Sequence, residues 1–158
     1  MLNAKQISYT TRNTLKRMGI YEPSLEKLIK GTFLMQSNLE NLYNDDDEYN
    51  RLRGLMLMPN DDAVETINEY IRYRPEDRKK VSDASGVDLK NISLEDALTL
   101  LETNIAFMVA VTAMFYSSNF IKVPDDNLES IASAYKAYFN EDVNVAVFIE
   151  KYTKTFRV

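Results

Sequence analysis

Apolar residues recur every three or four positions along most of this chain, the spacing that lines one face of an α-helix. The first such run covers about residues 4–18, with Ile7, Leu15 and Met18 on one face and Gly19 as its stop. After Pro23 a second run, "YEPSLEKLIKGTFLMQ", sets Leu25, Leu28, Ile29, Phe33 and Leu34 on an inner side. Then the pattern breaks. The segment "NDDDEYNR" (44–51) is polar and acidic and reads as a loop. Its three consecutive aspartates suggest a cation site, but the EF-hand spacing lacks its glycine and its closing glutamate, so a solvated loop is the simpler reading.

Beyond the loop, "DDAVETINEYIRYRPE" carries Val64, Ile67 and Ile71 with the aromatic pair Tyr70 and Tyr73, until Pro75 ends the helix. Residues 76–92 predict a short helix followed by a loop around Gly86. Ser93 reads as an N-cap, with Glu95 and Asp96 in the first turn, where carboxylates favour the helix dipole. The helix it starts is predicted over about 94–119. Its second half, "IAFMVAVTAMFY" (105–116), is apolar nearly all round, which marks a central buried element, and it is too short to span a bilayer. Asp125 or Asp126 is placed to cap "NLESIASAYKAYF", and "NVAVFIEKYTKTF" supplies the last helix. No internal repeat or low-complexity tract interrupts the chain. The expected fold class is mostly α: a single helical domain, 1–158, around a long buried helix.

Composition narrows the chemistry more than the fold. With 158 residues, 45% hydrophobic and 27% charged, the chain is long enough to bury a core and is not of the disordered type. A net charge of −5 argues against a nucleic-acid backbone as partner. Cysteine and histidine are both absent, which removes disulfides, thiolate chemistry, the commonest general base and the commonest metal ligand. No metal and no cofactor are therefore expected. Any chemistry rests on carboxylates, tyrosines, lysines or hydroxyls. The N-terminal "MLNAKQISYTTRNTLKRMG" has no apolar h-region and does not read as a secretory signal, so a soluble protein without membrane insertion is expected.

Four stretches, in order, resemble one family. "GTFLMQSNL" is similar to the "GTAxQESxL" stretch of small phage proteins related to lytic transglycosylases. "RGLMLMPNDDAVETI" resembles "GLMQLMPxTAxxI" of soluble lytic transglycosylases and goose-type lysozymes. "NIAFMVAVTAMFY" resembles their "NIxxGxxYLxxL" helix, and "LESIASAYKAYFN" their "ALAAYNAG" segment. "NEYIRYRPE" is similar to a "NYLxYRPE" segment of the phage branch. Together these cover roughly residues 27–140. The resemblance implies a lysozyme-like helical domain with a substrate groove at its side, residues 44–58 forming a hairpin or loop on the groove's other wall.

At the chemistry the resemblance fails. By its implication Gln36 occupies the catalytic acid/base position, Ser37 the serine after it, and Met35 stands where the phage branch has glutamine. In "GLMLMP", Gly54, Leu55, Met56, Met58 and Pro59 fit while Leu57 replaces the motif's glutamine. In the "AYNAG" segment Ala134 and Tyr135 match, but Lys136 replaces asparagine and the glycine is missing. Cleaving a glycosidic bond needs a proton delivered to the leaving oxygen. A carboxylic acid can give and retake one near neutral pH; a carboxamide cannot. Losing a positioned general acid costs about 10²–10⁴ in rate. Glu40, four residues on, would share a helix face with Gln36 if the helix continues, and Asp61 and Asp62 lie beyond "GLMLMP". Asp61 also suits an N-cap.

The expectation is thus a pseudoenzyme serving as a structural protein of a phage virion, in the tail, the connector or the ejection apparatus. It would be made in the host cytoplasm, with other virion proteins as partners and a homo-oligomer in the particle as an option. Candidate groove residues are Met35, Tyr43, Tyr49, Met56, Met58 and Tyr135. The alternatives are a peptidoglycan- or glycan-binding module, a weak transglycosylase using Glu40, and an unrelated helical assembly factor.

Overall fold

In the computed structural model residues 2–40, 43–44, 51–119 and 122–157 are described, Tyr43 and Asn44 by their backbone. The architecture is mostly helical. Helix α1 spans Ala4–Arg17, and Asn3 starts it by accepting from the amides of Lys5 and Gln6. Helix α2 runs Pro23–Ser37, its first turn set by Pro23, and is buried along most of its length. Three short antiparallel strands follow, β1 (Tyr43–Asn44), β2 (Leu52–Arg53) and β3 (Met58–Pro59), in the order β1-β2-β3. Tyr43 faces Arg53 across the first pair, and Arg53 faces Met58 across the second.

Helix α3 (Asn60–Val64) continues as a π-helix, Glu65–Ile71. The amide of Arg72 reaches back five residues to the carbonyl of Ile67, at 3.1 Å, so the turn is wider than in an α-helix. Helices α4 (Pro75–Ser85), α5 (Leu94–Thr103), α6 (Ile105–Ser118), α7 (Leu128–Tyr138) and α8 (Val145–Phe156) complete the fold. Gly86 ends α4 at φ 75°, a left-handed position that suits glycine, and Ser93 caps α5 through the amide of Asp96.

Helix α6 is the centre of the molecule. Its side chains from Phe107 to Tyr116 are all buried, and α1, α2, α4, α5 and the π segment pack around it. The expected long helix over 94–119 is instead two, α5 and α6, bent by 110° at Asn104. Asn104 explains the break: its extended backbone closes α5, while its Oδ1 accepts from the amide of Phe107 and opens α6. Its side-chain amide also donates to the carbonyl of Ser85 at the end of α4, at 3.1 Å. Among the described residues no single helix is long and apolar enough to cross a membrane.

Two further caps differ from expectation. Neither Asp125 nor Asp126 starts α7: Asn127 does, accepting from the amide of Ser130 at 2.8 Å. Asp61 is not an N-cap either. Pro59 takes that position, so Asp61 and Asp62 lie in the first turn, where the helix dipole favours them without a side-chain cap. The small sheet is fixed to the helices by ion pairs from Arg51 and Arg53 to Glu102 of α5.

Candidate functional site

Helix α2 carries Gln36 in its last turn. The helix ends directly after it, because Asn38 and Leu39 are left-handed at φ 54° and 58°. Glu40 therefore leaves the helical path and does not share a face with Gln36. The carboxamide is held at both ends. Its Nε2 donates to the carbonyl of Met56 at 3.1 Å, and its Oε1 accepts from the Tyr135 hydroxyl at 2.6 Å. A carbonyl can only accept, so Met56 fixes which end of the amide faces it. Three segments distant in sequence, "LMQS", "GLMLMP" and "SAYKAY", thus meet at one side chain.

The surroundings leave little freedom. Met56, Met58 and Tyr135 are buried in the core, with Tyr135 only 1% exposed. They are packing residues, not walls of an open groove as expected. Met35, Gln36 and Leu57 are half-buried; Tyr49 lies outside the described residues, as does the side chain of Tyr43. Ser37 is buried, its hydroxyl bonded to the carbonyl of Phe33, one turn back. The Tyr135 ring stacks on Phe139 and leans on Phe148. Burial pushes its hydroxyl up to about 12, against the pull of a hydrogen bond with Asn140, so it remains a donor at neutral pH. Next to it, the hydroxyls of Thr32 and Tyr116 bond at 2.7 Å.

Close backbone approach makes this geometry possible. A Cβ on Gly31 would lie 2.3 Å from the Phe148 ring, so glycine lets α2 and α8 meet. Gly54, at φ 74°, passes under the carbonyl of Leu101, which would be 2.7 Å from a Cβ. The turn it opens closes with the Leu57 amide on the Gly54 carbonyl at 3.0 Å, and Leu57 itself sits at φ 45°. "GLMLMP" is also one residue shorter than the "GLMQLMP" pattern, so Leu57 matches the pattern's leucine and its glutamine has no counterpart, a correction to the substitution inferred above.

Among the described residues, Gln36 has no carboxylate among its side-chain hydrogen-bond partners. Of the other candidates, Asp61 is exposed. Asp62 faces a small cavity of about 50 Å³ beside Glu65, Thr66, Ser118 and Asn119. Burial and the neighbouring Asp61 raise its carboxyl above the ordinary aspartate range.

A second polar centre was not singled out from the sequence. Glu26 and Lys30, one turn apart on α2, are each 5% exposed and pair at 2.9 Å. Arg12 of α1 closes on the same carboxylate at 2.8 Å. Burial pushes Glu26 up, but the hydrogen bonds from Arg12 and Lys30 outweigh it and hold the carboxyl below its usual range. The readable signal was two opposite charges four apart on a helix face otherwise filled with apolar residues.

Compared with known protein families, curated proteins and solved structures, the chain matches none. The mostly helical architecture stands on the structure itself.

Proposed function

We propose that this chain is a non-enzymatic structural domain of a phage particle, built on a lytic transglycosylase-like frame whose acid position has become Gln36. The observation that carries the loss of catalysis is the carboxamide held at both ends, by Tyr135 and by Met56. An amide in that position supplies no proton, and both of its functional ends are used inside the protein. Placement in a particle rests on the family resemblance of the four stretches. The weak-transglycosylase alternative loses support because α2 stops before Glu40. The glycan-binding alternative loses support because Met56, Met58 and Tyr135 are buried.

Two measurements test the reading. Purified protein incubated with isolated sacculi is expected to release no soluble fragments above buffer; clear release sinks the pseudoenzyme. Mass spectrometry of purified particles is expected to find the chain in stoichiometric amount. Its absence from particles sinks the structural role.

A further inference from the structure

Charge is distributed unevenly over this molecule. Helix α1 carries Lys5, Arg12, Lys16 and Arg17 and no carboxylate, in a chain whose net charge is −5. Lys5, Tyr9, Arg12 and Lys16 are all exposed, and their spacing puts them on one face. Tyr9 is 68% exposed, a large ring held in solvent among cations. Between α1 and the end of α8 lies an open cleft of about 940 Å³, bordered by Lys5, Ser8, Tyr9, Arg12, Phe156 and Arg157, with no carboxylate among the described residues that line it. Its base is built: the buried Lys30 ammonium bonds the Ser8 hydroxyl at 3.1 Å and lies 4.7 Å from the centre of the Phe156 ring. Glu26 neutralises only one of Arg12 and Lys30, so the base keeps one excess positive charge, to which Lys5 and Arg157 add two.

The opposite pattern occurs elsewhere. Along α3 and the π segment, Asp61, Glu65 and Glu69 are exposed at intervals of four, with Asp62 beside them. Among the described residues none of these three enters an ion pair. A row of cations and a row of carboxylates, each with helical spacing, are complementary to one another. We infer that the α1 face and its cleft receive the Asp61–Glu65–Glu69 ridge of a second copy of this chain. Such a contact joins two different surfaces: made once per pair it runs head to tail into a ring or a filament, and made reciprocally about a two-fold axis it closes a dimer. Complementary rows fix register and speed encounter, and added salt weakens them. The inference stands without the particle reading, since it uses only the charge pattern.

Sedimentation velocity on the full chain across protein and salt concentrations tests it. The wild type is expected to associate at low salt and to return to monomer as ionic strength rises. The pair Lys5→Glu with Lys16→Glu, and separately Glu65→Lys with Glu69→Lys, should each weaken association by at least about tenfold. Mixing the two variants should restore it, because each reversed face then meets a reversed partner. Circular dichroism melts confirm that both variants fold. A wild type that stays monomeric at low salt overturns the inference, as does association that ignores both reversals or a mixture that stays apart. A monomeric wild type that binds a polyglutamate peptide in the cleft also overturns it, and assigns the face to a foreign acidic segment.

Discussion

Two polar centres near opposite ends of helix α2 are built on opposite principles. Near its start, Glu26 is shared by Lys30 and Arg12, an ionic arrangement in which Arg12 remains half exposed. Near its end, Gln36 bridges Tyr135 and Met56 with no formal charge at all. The ionic centre borders an open cleft through Arg12, where water still reaches that partner and reduces the desolvation cost. The neutral centre lies against core residues, where an ion would have little hydration to fall back on. The difference teaches that a carboxamide at position 36 suits the packing around it, beyond merely failing as an acid.

The strongest way to break that comparison is Glu26→Ala. It leaves Lys30 buried without its carboxylate and should cost about 3–5 kcal/mol in a denaturant titration. A loss below about 1 kcal/mol would mean the ionic centre is already hydrated. The wild-type dependence on pH follows from the lowered Glu26 carboxyl. Its contribution is fully present above the unfolded carboxylate value and is lost as pH falls through the lower folded value.

Gly31→Ala comes next, since the added methyl enters the Phe148 ring that supports Tyr135. About 3 kcal/mol of lost stability is expected by thermal melt, and a neutral result would show that α8 can slide away from α2. Gln36→Glu sharpens the neutral side. A carboxylate oxygen would face the Met56 carbonyl, acceptor against acceptor, for a cost of about 1–3 kcal/mol at neutral pH. The folded state then favours the protonated form, which can donate to Met56. The penalty should therefore shrink as pH falls through the raised folded value. The same variant is expected to leave sacculi intact in a dye-release assay. Strong release would mean the groove is still formed. The smallest effect belongs to Asp62→Asn, which removes a carboxyl raised by burial and by Asp61. A gain of less than about 1 kcal/mol is expected at neutral pH, shrinking as pH falls through the raised folded value and gone below the unfolded value, where both states are protonated.

Helix positions were legible in the sequence because apolar spacing and caps agree locally. Ser93, Gly86 and Pro23 each mark a boundary by a mechanism that acts within a few residues. Asn104 was not legible as a break, since no change of apolar pattern accompanies its double role as the end of α5 and the cap of α6. The bonds from Gln36 to Met56 and Tyr135 join three stretches far apart in sequence, and neither they nor the burial of Met56 and Tyr135 could be read from local spacing. Burial depends on how far α7 and α8 press onto α2, and that distance is set by Gly31 against Phe148, a contact between segments far apart in sequence.

The π segment has a consequence for how this chain can change length. Its wide turn between Ile67 and Arg72 encloses one residue more than an α-turn does. Loss of one residue from a plain α-helix swings everything after it by about 100° and turns an inward face outward. Loss of one residue between Glu65 and Ile71 only tightens the wide turn to an α-turn, and the incoming chain at Arg72 keeps its direction. Single-residue deletions in diverging lineages are therefore expected to collect in this segment. Helix α6, buried from Phe107 to Tyr116, has no such slack.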